Sequence, residues 1–199
     1  MSRTPDAHRR AELLDRIADF TVDHGMADLS LRPLAKAVGS SPRALLYHFG
    51  SKERMLVAAL ELRRRRQMQT FAAVESWGSA SPTEACQAIW QLMSSPAGLT
   101  AYRAFLDGTS LALQDRTRFP GFLEGSIENW LEFRHADRLA AGYSDDDSRA
   151  FATIVVAGFR GFLLDLCATG DRKRVDRAVH HWLTMLETFP SPQELSDAG

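Results

Sequence analysis

Strand-forming signals are nearly missing from this 199-residue chain. β-Branched residues are sparse, no Asn-Gly hairpin turn occurs, and apolar residues recur at spacings of three and four almost throughout, which predicts an all-α fold. Cysteine occurs only twice. Cys86 and Cys167 have no CxxC spacing and no histidine nearby, so neither a disulfide framework nor a metal site is expected, and both read as small buried hydrophobes. No unbroken apolar run approaches the roughly 20 residues that span a bilayer. Met1 to Arg10 is polar and charged, unlike a signal peptide, so a cytoplasmic protein with no membrane partner is expected. Catalytic signatures are missing as well: there is no Ser/His/Asp order, no glycine-rich phosphate loop and no HExxH. His180 and His181 share a helix with Asp176 and Glu187 without ligand spacing, and Asp145 to Asp147 suit a helix N-terminus better than a metal. No enzyme activity, cofactor or metal is expected.

A strong net charge is also missing, the formal value being -1. The average hides an asymmetry. Met1 to Thr70 holds 13 Lys or Arg against 8 Asp or Glu, leaving 11 against 17 for the remainder. A basic head on an acidic body points to a head that meets a polyanion.

The helices can be read from their punctuation. Leu14, Ile17, Ala18 and Thr21 form one stripe of a first helix, and Gly25 ends it. Ser30 is an N-cap with Pro33 in the first turn, so a short helix runs from Leu31 to Val38. Gly39-Ser40-Ser41 breaks it, and Ser41-Pro42 opens another from Pro42 to His48 or Phe49. Gly50 closes that helix, and Ser51-Lys52-Glu53 starts a long one reaching toward Phe71 or Trp77. Beyond the Ser/Pro-rich stretch from Gly78 to Pro82, helices are expected at Thr83 to Met93, Leu99 to Gln114, Phe122 to Leu139, Asp145 to Ala168 and Asp171 to Phe189. The expected divisions are a DNA-binding domain at 1–50, a connecting helix at 51–77, a C-terminal domain at 78–190 and a frayed polar tail at 191–199.

Two short helices joined by a three-residue turn containing glycine fit a helix-turn-helix whose second helix reads DNA. The run LLDRIADFTVDHGMADLSLRPLAKAVGSSPRALLYHFGSKERML, Leu13 to Leu56, resembles the DNA-binding domain of the TetR family. The likeness is carried by Gly25, Ser30, Leu34-Ala35, Gly39, Ser41, Leu45, Tyr47-His48-Phe49 and Ser51-Lys52-Glu53. It covers about a quarter of the chain; beyond it, only length and helix content are similar. Arg43 and Leu46 stand where that family often has Gly and Tyr. The resemblance implies a transcriptional regulator, most often a repressor, that binds a palindromic operator as a homodimer and is released by a small effector. An architectural or effector-independent DNA-binding protein is the alternative.

Arg43, near the start of the reading helix, suits the O6/N7 edge of guanine. Tyr47 and His48 suit the phosphate backbone, as do Ser30, Arg32 and Ser41, although both serines also serve as caps. Lys52 in the first turn of a helix opposes the dipole unless it meets an anion, so it is a phosphate contact. Leu34, Ala35, Val38, Leu45 and Phe49 read as core. The run Arg63 to Arg66 lies roughly 17 to 21 Å up the helix from Lys52 and reads as a solvated face or an interdomain ion-pair site. Arg3, Arg9 and Arg10 could follow the backbone or a minor groove.

The C-terminal helices carry the remaining expectations. A largely apolar effector is expected among Trp90, Met93, Tyr102, Phe105, Phe122, Trp130 and Phe133, with Arg103 and His135 as polar partners. The last two long helices are expected to pair with their copies through Phe151, Ile154, Ala157, Gly158, Gly161, Val179, Trp182 and Leu186, the small residues allowing close approach.

Overall fold

The computed structural model describes residues 4–25, 29–76, 82–117, 119–125, 128, 138–139 and 141–198. Among them all regular structure is helical: α1 Thr4–His24, α2 Leu31–Ala37, α3 Pro42–Phe49, α4 Lys52–Ser76, α5 Pro82–Met93, α6 Pro96–Gln114, α7 Asp145–Thr169, α8 Arg172–Glu187 and α9 Pro192–Ala198. Two compact units emerge from the packing, one of Met1–Ala72 with Thr100–Leu123 and one of Ala73–Leu99 with Glu124–Gly199. This grouping cuts across the divisions expected at residues 50 and 77.

The first unit is built on the stripe of α1. Leu13, Leu14, Ile17 and Ala18 are buried against Leu34, Ala35 and Val38 of α2, Leu45 and Phe49 of α3, and Met55, Leu56, Ala59 and Leu60 of α4. Ala112 of α6 and Phe119, Phe122 and Leu123 after it close the same core. Each such leucine or phenylalanine removed from water contributes about 1.5–3 kcal/mol, so this small unit depends on α4 and the α6 segment. Thr21 is fully buried on the stripe, its hydroxyl donating to the Ala18 carbonyl at 2.9 Å. The arginine run is resolved into separate tasks. Arg66 bridges Asp15 at 2.7 Å and Asp19 at 3.3 Å on α1, while Arg64 donates to Glu61 through both ends of its fork. Arg63 is half-buried, and desolvation lowers its pKa while Asp19 and Asp23 oppose the shift. Arg66 therefore ties α4 to α1 inside one unit, while Arg64 and Arg65 pair with Glu61 on α4 itself.

In the second unit α8 packs on α5 and α7. Trp90 of α5, 2% exposed, donates its indole N–H to Asp176 Oδ1 at 2.9 Å and meets the edge of Phe162 at 6.4 Å. Arg172 at the start of α8 holds both the hydroxyl and the carbonyl of Ser94. Buried Phe151, Val155, Phe159, Leu163 and Leu166 on α7 face Val175, Val179 and Leu183 on α8 as the interior stripes. Arg138 lies over the rings of Tyr143 and Phe151, at 3.8 and 3.7 Å from their centroids.

Helix α7 is long and apolar enough to cross a membrane by length and composition, with a mean hydropathy of 1.7 over 18 residues. Its apolar sequence is interrupted by Arg160 and Asp165, and its buried stripe faces α8. Beyond Pro190, where a frayed tail is expected, Ser191 and Glu194 form a reciprocal cap that starts α9. The Ser191 hydroxyl accepts from Glu194 N at 3.3 Å and Glu194 Oε2 accepts from Ser191 N at 2.7 Å. Helix α6 begins at Pro96, three residues earlier than expected, because Ser95 caps it by accepting from Gly98 N at 3.1 Å.

Candidate nucleic-acid interface

The turn between α2 and α3 is a backbone construction. Gly39 adopts φ +66°, a left-handed conformation that side chains resist, and lets Ser40 N reach the carbonyl of Ala35 at 2.8 Å. Two arginines of α1 hold the turn from outside, Arg16 donating to the Val38 carbonyl at 3.2 Å and Arg9 to that of Gly39 at 3.3 Å. Arg9 is thus occupied by protein. Arg3 lies outside the described residues.

Ser41 caps α3 by accepting from Ala44 N at 3.2 Å, with Pro42 in the first turn. Leu45 and Phe49, one turn apart, are buried and fix the rotation of the helix. The opposite face then carries Arg43, Leu46 and Tyr47 into solvent, Tyr47 at 76% exposure. Leu46, which stands where the resemblance expects Tyr, is exposed on the same face. A glycine at φ +82°, Gly50, ends α3, and Ser51 caps α4 by accepting from Arg54 N at 3.1 Å. Lys52 stands half-buried in the first turn of α4. Ser30 has the extended backbone of an N-cap but no capping bond from its side chain, so its exposed hydroxyl is not spent on α2. Arg32 and Lys36 are exposed one helical turn apart on α2. The sequence reading missed Lys36, although its spacing from Arg32 gives the signal.

His48 differs from its expected position. Its ring is mostly buried and its Nδ1 lies 3.3 Å from Asp6 Oδ1, while Arg10 donates to the His48 carbonyl at 3.3 Å and covers the Phe49 ring at 4.9 Å. The residue anchors the end of α3 to α1, and the exposed face is left to Arg43 and Tyr47.

The expected effector residues divide. Tyr102 stacks on Phe105 at 5.9 Å and Phe105 tilts on Phe122 at 6.3 Å, all in the first unit, with Arg103 exposed. Trp90 and Met93 are buried in the second unit. Trp130, Phe133 and His135 lie outside the described residues.

The expected pairing residues divide too. Phe151 and Val179 are buried within the chain, and Gly158 is pressed by Trp182: an added Cβ would lie 2.3 Å from the indole Cζ2. The close approach at Gly158 is made by the chain's own α8 and not by a second copy. Ile154, Ala157 and Gly161 are exposed on α7, Gly161 with nothing within 4 Å of an added Cβ, whereas Leu186 and Trp182 are half-buried on α8.

Residues 13–59 match the family model described as bacterial regulatory proteins, tetR family. No curated relative matches the sequence. Three solved structures share the fold. A TetR transcriptional regulator from Legionella pneumophila is 19% identical over 93% of this chain and 97% of its own, with a TM-score of 0.62. The multidrug binding protein EbrR, complexed with imidazole, is 23% identical over 96% of this chain and 95% of its own, with a TM-score of 0.65. NalD, the secondary repressor of the MexAB-OprM multidrug efflux pump in Pseudomonas aeruginosa, is 16% identical over 92% of this chain and 95% of its own, with a TM-score of 0.56. The chain thus carries, at residues 13–59, a segment that matches the tetR family of bacterial regulatory proteins, set in an all-helical fold shared with solved transcriptional regulators.

Proposed function

We propose that the protein is a cytoplasmic repressor that binds a palindromic operator as a homodimer and releases it on binding a small, largely apolar effector. The observation that carries the DNA reading is the rotation of α3. Burial of Leu45 and Phe49 leaves Arg43 and Tyr47 on one solvent face, with Lys52 in the first turn of the next helix and Ser30 and Arg32 at the start of α2. Arg43 reads a base edge through its planar fork; Tyr47, Lys52, Ser30, Ser41 and Arg32 hold phosphates. Pairing rests on the exposed stripe Ile154, Ala157, Gly161 and Leu164 of α7, with Met185 exposed on α8. Apolar side chains at helical spacing in water are stabilised by a covering surface, and a copy of the same helix pair supplies one.

The effector reading is supported by the aromatic residues at Tyr102, Phe105 and Phe122 and at Trp90 and Met93, joined in sequence by Trp130 and Phe133. Arg103 is the cation for an anionic head. Two fold relatives point the same way, one being a multidrug binding protein and the other a repressor of an efflux pump. Release follows if the effector prefers a dimer geometry whose reading helices no longer fit successive major grooves.

The test is selection of a duplex from a random pool, followed by titration at several salt concentrations. A pseudo-palindromic site and a steep salt dependence are expected. Arg43→Ala should cost about 1–3 kcal/mol and relax preference at one position in each half-site. Lys52→Ala should weaken all sequences alike and flatten the salt slope. Unchanged binding in both variants would overturn the placement of the reading helix.

A further inference from the structure

Where α1 runs beside α4, the first unit contains a recess of about 250 Å³. It is lined by apolar Leu14, Val57 and Ala58, with exposed Pro120 beside them, and by charged Arg10, Arg54, Arg65 and Glu61. Those charges do not cancel. The Glu61 carboxylate is already engaged by the fork of Arg64, whose hydrogen bonds hold it below its ordinary pKa, and Arg65 lies 3.8 Å from it. Among the described residues Arg10 meets a carbonyl and a ring, those of His48 and Phe49, and no carboxylate. Arg54 has no ion pair or side-chain hydrogen bond among the described residues. Three guanidinium groups thus share the recess with apolar side chains and one carboxylate that is spoken for.

That combination selects a ligand by two criteria at once. A bare inorganic anion leaves the apolar lining wetted, and a neutral apolar molecule leaves the guanidinium groups without a partner; an amphipathic monoanion satisfies both. We propose that this recess is a ligand site in the DNA-binding unit for a small amphipathic carboxylate, its head between Arg10, Arg54 and Arg65 and its body on Leu14, Val57 and Ala58. The site shares no residue with the effector walls described above and stands whether or not those walls bind anything. Arg10 also holds the carbonyl at the end of α3, so a carboxylate drawn to it competes directly with the seat of the reading helix.

Calorimetric titration of the full chain with octanoate, octanol and inorganic phosphate tests the assignment. Octanoate should bind saturably, and both octanol and phosphate should bind far more weakly. Arg54→Ala with Arg65→Ala should weaken octanoate by about tenfold through loss of charge-assisted contacts, and Ala58→Trp should fill the recess and abolish this site. Circular dichroism melts establish that the variants fold; if Ala58→Trp does not, the exposed double-arginine variant decides. Absence of octanoate binding overturns the proposal. So does binding unaffected by the arginine changes, which places octanoate elsewhere, and so does phosphate binding as tightly, which makes the recess an anion site without an apolar requirement.

Discussion

Single residues divide here by which neighbour reaches them first. Arg43 and His48 lie five positions apart on one short helix, yet Arg43 faces solvent and His48 faces Asp6. In the proposed reading Arg43 carries specificity, whereas His48→Ala should act through the seating of α3. It should lower thermal stability and weaken operator and random DNA alike, with base preference kept. A binding profile that changed at one base position would return His48 to the reading face. Gly158 and Gly161 make a second contrast, one turn apart on α7. An alanine at 158 must displace the Trp182 ring and should cost about 1–3 kcal/mol by overpacking. At 161 the space is open, and in the separated chain alanine should gain about 0.5–1 kcal/mol from lower unfolded-state entropy. Urea unfolding of both variants at one protein concentration, low enough to hold monomers, checks the pair.

At the scale of elements, charged clamps set how the helices meet. Arg66 joins α4 to α1 through two aspartates, an exposed contact worth up to about 1 kcal/mol. Arg174 joins the start of α8 to the end of α7 by gripping Asp165 at 2.8 and 2.6 Å. The hydrogen bonds from Arg174 hold the Asp165 carboxyl below its ordinary value of 3.8. Because the folded pKa is the lower one, the stabilisation is complete above 3.8 and is lost as pH falls through the folded value. Asp165→Asn should therefore melt below the wild-type protein at pH 7, and the gap should close as the pH is taken below 3.8. A gap that stayed constant with pH would mean that the contact is not ionic.

At the scale of the whole molecule, the proposed functional unit is a pair of chains. In the proposed pair the exposed stripe of α7 places Gly161 against the partner's helix, so Gly161→Glu should yield monomers in sedimentation and, with one half-site per particle, lose operator binding. A variant that stays dimeric would move the interface off this stripe. Titration with apolar and aromatic-acid compounds should quench tryptophan fluorescence and, in the same range, dissociate the operator complex. A hundredfold loss of occupancy requires a differential affinity of about 3 kcal/mol between the two dimer geometries. Tight binding that leaves DNA affinity unchanged would defeat the release mechanism.

Local chemistry was legible along the chain because it acts over a few residues. Caps at Ser41 and Ser51, the glycine turn at Gly39, the helical periodicity and the segment Leu13 to Leu56 all follow from near neighbours, and with them the helix-turn-helix and its reader. Where a side chain sits on a long apolar helix was decided only in three dimensions. Periodicity marks Phe151, Ile154, Gly158 and Gly161 as apolar or small without saying which partner covers each. Tertiary packing gave Phe151 and Gly158 to the chain's own interior and left Ile154 and Gly161 in solvent. The arginine run shows the same division: Arg64 and Arg65 find Glu61 within one turn of their own helix, but the partners of Arg66 lie 47 and 51 residues away on α1, and only folding brings opposite charges of that separation within reach.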